Sequence, residues 1–504
     1  MSLRILVLTT SAIMLAGFVA AEPPPMKMAT PIPEGIATPD TLESRIGTLN
    51  CFDGVPDKKT TELVFDQLAF QRATQAFLST IQVSSMAAME HGIREFGPPN
   101  TTALLFEDLM DSKALWLTPN TVSVYQTMWL ELGDEPMVLE TPPKVLGILD
   151  DAWFRYVADF GNAGPDKGKG GKFLLVPPGY EGDLPDEGYY VYHTRTHGNW
   201  MVWRGFQVEG STKPAIDATK KFLKVYPLSQ KDNPPKITFI DLSGKPNSTI
   251  HRMDFGFWEE VNHTIQDEPL DVDGLSPEIR GLLSSIGIEK GKKFEPDDRM
   301  KKILTEAAKV GSVTARALAA RPEDPRFYIY PGERVWTNPF IQGRYDFLLD
   351  GATLLDSRAY MHFYATGITP AMSVRNVGVG SQYLIAYLDQ NGDALDGSKT
   401  YKINLPPNVP AKDFWSFTVY DCQTRSELQT DQRFPGIDNK SEGMKVNEDG
   451  SLDIYFAPQA PAGMEENWIQ TVPGKSWNTI FRLYGPLKPF YDKTWKPSDP
   501  VLVE

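Results

Sequence analysis

Two stretches near the carboxyl end alternate so strictly that only one kind of secondary structure suits them. In FWSFTVYD, Trp415, Phe417 and Val419 alternate with Ser416, Thr418 and Tyr420. A period of two in β-branched and aromatic residues marks a half-buried strand. SWNTIFRLYGP repeats it, with Trp477, Phe481 and Leu483 on one side and Asn478, Ile480, Arg482 and Tyr484 on the other. The last third of the chain therefore reads as a β-sheet core with Trp415 and Trp477 inside it. Trp468 and Trp495 sit in loop-like contexts, where an aromatic ring is free to stack on a ligand.

The rest of the chain falls into blocks. Arg4 precedes an apolar run from Ile5 to Val19, and Val19-Ala20-Ala21 supplies the small residues of a cleavage site. Residues 1–21 are expected to be a signal peptide cut after Ala21. The run is short of the ~20 residues that span a bilayer, so no stable membrane insertion is expected after cleavage. The mature protein is expected to be periplasmic or secreted. Residues 22–55, rich in Pro, Thr and Gly, read as an extended lead-in. Residues 56–250 open on a helix from Glu62 to Phe96, with Phe70, Phe77, Ile81 and Ala88 on one face. Strands and turns follow. Lys172 to Val176 reads as a strand, Trp153 to Phe160 as a short helix, and Tyr189 to Val208 as two strands joined by a Gly198-Asn199 hairpin loop. Residues 251–329 are helical: Ser276-Pro277 caps one helix, and another starts near Pro296. Residues 330–504 return to β.

These residues resemble the paired bacterial domains of unknown function 1254, at the amino-terminal side, and 1214, at the carboxyl-terminal side. LDQNGDALDGSKTYKINLPPNVPAKDFWSFTVYD, DGSLDIYFAPQAP, NWI and FRLYGPLKPFYDKTW follow the order of the second domain. YYVYHTRTHGNWMVWRGF is similar to the tyrosine-rich strand of the first. Where that family carries Arg-Ser/Thr and Gly-Arg pairs, this chain has Arg195-Thr196 and Arg204-Gly205. The resemblance implies a multi-domain, mainly β, α+β chain: two jelly-roll β-sandwich domains joined by a small helical domain. It implies no established activity, because fold alone does not carry one.

Several constellations bear on chemistry. In one continuous strand, His193, Arg195 and His197 would share a face, about 13 Å end to end at ~3.3 Å per residue. An Arg flanked by two His makes a stripe receptive to carboxylates or acidic sugars, and Tyr192 and Arg204 complete the constellation around it. That span is too long for both imidazoles to bind one metal ion. Glu260 and His263 stand three apart on a helix, but a di-metal bundle needs a second such pair. Asp389-x-Asn391-x-Asp393 begins like a calcium loop, yet Ala394 and Thr400 occupy the positions of its Gly and Glu, and a turn explains it better. Lys167, Lys169 and Lys172 form a small basic patch in a Gly-rich loop. No metal or cofactor is assigned.

The formal net charge of −15 argues against nucleic acid and anionic membrane surfaces as partners, since both repel an acidic protein. The two cysteines, Cys51 and Cys422, allow one pairing, and nothing in the sequence brings them together. The leading expectation is an exported homo-oligomeric β-sandwich protein that binds a small or polymeric ligand, anionic or carbohydrate, through Tyr192, His193, Arg195, His197, Arg204, Trp468 and Arg482. The alternative is an exported hydrolase or lyase with a His/Arg site at the domain junction.

Overall fold

The computed structural model describes residues 26–270 and 274–503. The expected signal peptide lies outside the described residues. The chain divides into two compact units, one up to Gln67 and one from Leu68 onward. It is a mixed α+β protein, 25% helix and 27% strand, with several sheets. Among the described residues no sheet closes on itself, and no helix is long and apolar enough to cross a membrane.

In the first unit the expected extended lead-in is instead partly folded. Thr41–Ser44, Gly47–Phe52 and Val55–Pro56 form a three-stranded antiparallel sheet. Asp53 and Gly54, at φ 47° and 81°, make the turn between its last two strands. Asp-Gly is the pair that tolerates positive φ at both positions of such a turn.

Helix α1 (Lys58–Arg94) runs on into the second unit. There, Phe77, Ile81 and Ala88 are buried, as their spacing predicts. In chain order follow β1 (Thr102–Leu105), β2 (Val124–Glu131), β3 (Met137–Glu140), β4 (Leu146–Asp151), β5 (Tyr156–Gly161), β6 (Lys172–Val176), β7 (Tyr190–His193) and β8 (Gly198–Gly205). Then come α2 (Lys213–Phe222), β9 (Lys224–Pro227) and β10 (Thr238–Asp241). They build a six-stranded sheet, β10-β1-β2-β8-β4-β5, and a four-stranded sheet, β7-β6-β3-β9. Met128 and Leu130 of β2, Leu149, Phe160, Phe173 and Trp203 share one apolar core between them.

Two local expectations fail here. Trp153–Phe160 is not a helix: Phe154 turns the chain at φ 58°, and β5 pairs antiparallel with β4. Nor do β7 and β8 form a hairpin, for β7 pairs parallel with β6 in the smaller sheet and β8 lies in the larger one. The chain crosses between sheets at 194–197. Glu268 fixes the crossing, its carboxylate accepting from the backbone N–H of His197 and of Gly198, each at 2.7 Å. A Cβ at Gly198 would meet Glu268 Oε1 at 2.7 Å and Trp129 Cζ2 at 2.8 Å. This glycine serves close approach rather than a turn.

The helical block contains α3 (Gly256–Asp267), α4 (Pro277–Ser285) and α5 (Asp298–Ala320), and α6 (Leu355–Tyr364) follows inside the stretch expected to be β. Ser276 caps α4 and Asp297 caps α5, each accepting from the N–H three residues on. Gly311 of α5 lies against Phe77 of α1, where a Cβ would come within 2.4 Å of the ring.

The carboxyl-terminal strands are β11 (Ser381–Ala386), β12 (Tyr401–Leu405), β13 (Ala411–Asp421), β14 (Gly436–Asp438), β15 (Leu452–Ala457), β16 (Trp468–Gln470), β17 (Trp477–Pro486) and β18 (Val501–Leu502). Two four-stranded sheets result, β11-β17-β13-β14 and β16-β15-β12-β18. Trp415, Phe417, Val419, Trp477, Phe481 and Leu483 all enter the core that the two sheets share, the side their alternation assigns them. Trp495 joins them at 6% exposure and is not free for a ligand. Cys51 and Cys422 are free thiols. Asp389 Oδ1 accepts from the N–H of Asn391 and of Asp393, so this carboxylate is spent on a turn.

Candidate functional site

Strand β8 sends alternate residues to opposite sides of its sheet. Met201 and Trp203 enter the core between sheets, while Trp200, Val202 and Arg204 line a cavity of about 470 Å³ on the other face. Strand β17 does the same from the carboxyl-terminal half: Phe481 and Leu483 turn inward, while Ile480, Arg482 and Tyr484 line the cavity. Tyr383 of β11 and the segment after α6, with Thr366 and Thr369, complete it. The cavity thus lies on the seam between the two β-rich halves, a place where ligand sites gather. Much of its wall is apolar, including Trp116, Ile148, Phe340 and Met372.

Asn120, Asn162, Lys412 and Asp413 also line it, and two groups of polar residues lie on the sheet faces themselves. At the first, strand register sets Arg204 beside Tyr125 of β2 and Arg482 beside Tyr383. The Arg204 guanidinium lies 5.9 Å from the centre of the Tyr125 ring, and that of Arg482 5.6 Å from the Tyr420 ring. The two cations are held differently. Arg482, only 4% exposed, donates to Tyr420 Oη at 2.7 Å, Thr118 O at 2.9 Å and Thr418 Oγ1 at 3.2 Å. All three acceptors are neutral. Arg204 makes no hydrogen bond and no ion pair among the described residues. Burial opposes both charges, but both pKa values are raised above the ordinary arginine value, so both groups are cationic. Tyr484 Oη is buried without a hydrogen-bond partner, and burial pushes its phenol up to about 12. Two guanidiniums that make no ion pair among the described residues, with only the buried Glu427, its own pKa raised well above the ordinary carboxylate value, in electrostatic reach of Arg482, stand beside an unused hydroxyl donor and form a receptor for an anion.

The second pole lies across the same sheet. Val202 pairs with Ile148 of β4, and Ile148 with Asp159 of β5, so Asp159 faces the cavity on the same side as Arg204. Its carboxylate accepts from Thr369 Oγ1 at 2.8 Å, and burial pushes its pKa up to about 6. Thr366 Oγ1, also on the lining, is buried without a partner.

Of the residues singled out in the sequence, Arg204 and Arg482 meet in this cavity and the others lie elsewhere. Tyr192 stacks on Phe173, with ring centres 6.2 Å apart, at the edge of the inter-sheet core. His193 is exposed at the end of β7. Arg195 reaches Asp151 at 3.3 Å and donates to Tyr156 O. His197 donates through Nδ1 to Leu132 O at 3.0 Å. The stripe of His193, Arg195 and His197 does not form, because the strand ends at His193. Trp468 begins β16 and donates its indole N–H to Ala457 O at 2.8 Å. Sequence reasoning missed Tyr125, Asp159, Thr366 and Tyr383. For Tyr484 the sign was present: it shares the polar face of SWNTIFRLYGP with Arg482.

Comparison with known proteins agrees with this division. Residues 99–227 match the family model described as a protein of unknown function (DUF1254), and residues 380–488 that described as a protein of unknown function (DUF1214). No curated protein matches the chain. Among solved structures, the crystal structure of the VPA0106 protein from Vibrio parahaemolyticus is similar at 19% identity and a TM-score of 0.52, covering 86% of this chain and all of that one. A putative uncharacterized protein from Burkholderia cenocepacia aligns over 88% of this chain and 97% of its own, at 13% identity and a TM-score of 0.39. The first of these likenesses shows the fold alone.

Proposed function

We propose that this chain, which carries a DUF1254 domain at 99–227 and a DUF1214 domain at 380–488, is an exported binding protein for a small amphipathic organic anion. The observation that carries the proposal is the meeting of Arg204 and Arg482, neither in an ion pair among the described residues, on the wall of a mostly apolar cavity of about 470 Å³. A carboxylate bound there supplies the missing counter-charge, and its hydrocarbon body covers Trp200, Val202 and Ile480. A largely apolar wall favours a small molecule over a polymer or a sugar, whose hydroxyls would lose water without partners. Two sheets sharing one core in each half support the β-sandwich reading of both domains. Export rests on the sequence of residues 1–21. Exposed apolar side chains of the first unit, among them Phe52, Val55 and Phe65, support a homo-oligomer.

The hydrolase or lyase alternative has less support. No histidine lines the cavity, and the lining group best placed to move a proton near neutral pH is Asp159. The test is titration of the purified protein with decanoate, followed by tryptophan fluorescence, since Trp116 and Trp200 line the site. Saturable binding below about 1 mM, the weakest affinity worth calling specific, is expected. Absence of binding by straight-chain and aromatic monocarboxylates alike would sink the proposal.

A further inference from the structure

The two poles of the cavity fix more than the charge of a ligand. Arg204 and Asp159 stand on the same face of one sheet, two strands and two residues apart. At ~4.8 Å between strands and ~3.3 Å per residue, their Cα atoms are about 12 Å from each other. The side chains between them, Val202 and Ile148, are apolar and line the cavity. A ligand that reaches both poles must therefore be polar at its ends and apolar in its middle.

We infer that the site takes a bifunctional organic acid, its carboxylate at Arg204 and its far end, on the Asp159 side of the cavity, bearing a hydroxyl or carbonyl oxygen held by Asp159 and Thr366. This rests on the anion-binding reading above and adds a second, independent feature. The Thr366 hydroxyl is buried on the lining with no partner, so it is a donor and acceptor left unused by the protein. Asp159 accepts from the Thr369 hydroxyl and lies against the Tyr156 hydroxyl, both neutral groups, so no cation is paired with it. Burial pushes its carboxyl up to about 6, which leaves it able to offer or accept a proton in a hydrogen bond. An apolar far end would leave the Thr366 hydroxyl desolvated and unsatisfied, a standing cost that a ligand oxygen removes.

The sign of the effect separates the outcomes. Decanoate and 10-hydroxydecanoate have the same carboxylate and nearly the same length, and they differ only at the end expected to meet Asp159. Calorimetric titration of the wild-type protein with each is expected to show the hydroxy acid binding about three- to tenfold more tightly. In Asp159→Leu combined with Thr366→Val, the order should reverse, because a buried hydroxyl without a partner weakens binding. If the double variant does not fold, Thr366→Val alone should narrow the preference. Failure of both acids to bind overturns the anion site itself. Binding of both with decanoate tighter, or a preference that survives the substitutions, overturns the far pole and leaves the anion site standing.

Discussion

Arg204 and Arg482 look alike in sequence and face one cavity, yet the structure predicts opposite consequences for losing them. Arg482→Met removes the donor that serves Thr118 O, Thr418 Oγ1 and Tyr420 Oη. Tyr420 keeps a second bond, to Pro119 O, so two buried acceptors are left without this partner. At roughly 1–3 kcal/mol for each desolvated group, the cost is about 3 kcal/mol or somewhat more. For a domain of 150–250 residues, 1 kcal/mol moves the midpoint by about 2–4 °C, so the apparent Tm should fall by about 10 °C. Arg204→Met breaks no hydrogen bond within the described residues. It forfeits a cation–π contact with Tyr125, worth about 1 kcal/mol, and relieves the burial of an unpaired charge. Its Tm should stay within a few degrees of wild type or rise. Binding should reverse the ranking in kind: loss of one charge-assisted bond of about 1.5–3 kcal/mol weakens decanoate about 10- to 100-fold. Differential scanning fluorimetry and calorimetric titration of the two variants decide the matter. Equal loss of stability in both would make Arg204 a structural residue. Undiminished affinity in Arg204→Met would place the anion elsewhere.

Three other predictions follow from the same geometry. Glu260 and Glu268, each with a pKa raised to about 7, and Asp159, raised to about 6, owe those shifts chiefly to burial. Native-state pKa values above the unfolded ones mean stability that is fully present below about pH 4, where the unfolded carboxyls are protonated, and is lost progressively as pH rises to about 7. His251 and His362 are shifted the other way by burial, His362 to about 3, so they withdraw stability as pH falls below about 6.5. Three carboxyls outweigh two imidazoles, so apparent Tm should fall as pH rises from about 5 to 6, with Glu268→Gln making the fall shallower; a steady rise from about pH 5 to 8 would contradict this. Gly198→Ala drives a Cβ into Glu268 Oε1 and the Trp129 ring, and should cost about 2 kcal/mol or more by chemical denaturation. Finally, protein recovered from a secreting host should begin at Glu22 on amino-terminal sequencing, and an intact Met1 would refute the expected cleavage.

What the sequence disclosed and what it hid divide along the range of the interactions. Alternation in 414–421 and 477–484 involves neighbours only, and both faces come out as read, down to Arg482 and Tyr484 on the side away from the core. The caps at Ser276 and Asp297 are likewise local. Asp53-Gly54 carried an equally local turn sign, and the Pro- and Thr-rich setting masked it. The stripe from His193 to His197 failed for a reason no window of residues contains. Its backbone is captured by Glu268, some seventy positions downstream, which pulls the chain out of one sheet and into another. Arg204 neighbours that stretch in sequence, and it belongs to the site for a different cause. It stands on β8 opposite Met201 and Trp203, and its partner in function, Arg482, comes from the other half of the molecule. A strand pattern can say which side chains leave the core. It cannot say which second surface they meet, because that depends on how two sheets and the helices α1 and α6 stack. The unmatched charge is the exception that makes such sites findable: an arginine in a strand, on the face away from the core, with no acid across the ladder, has to find its counter-ion in another surface or in a ligand. Here the facing surface supplies a second arginine, which leaves the ligand.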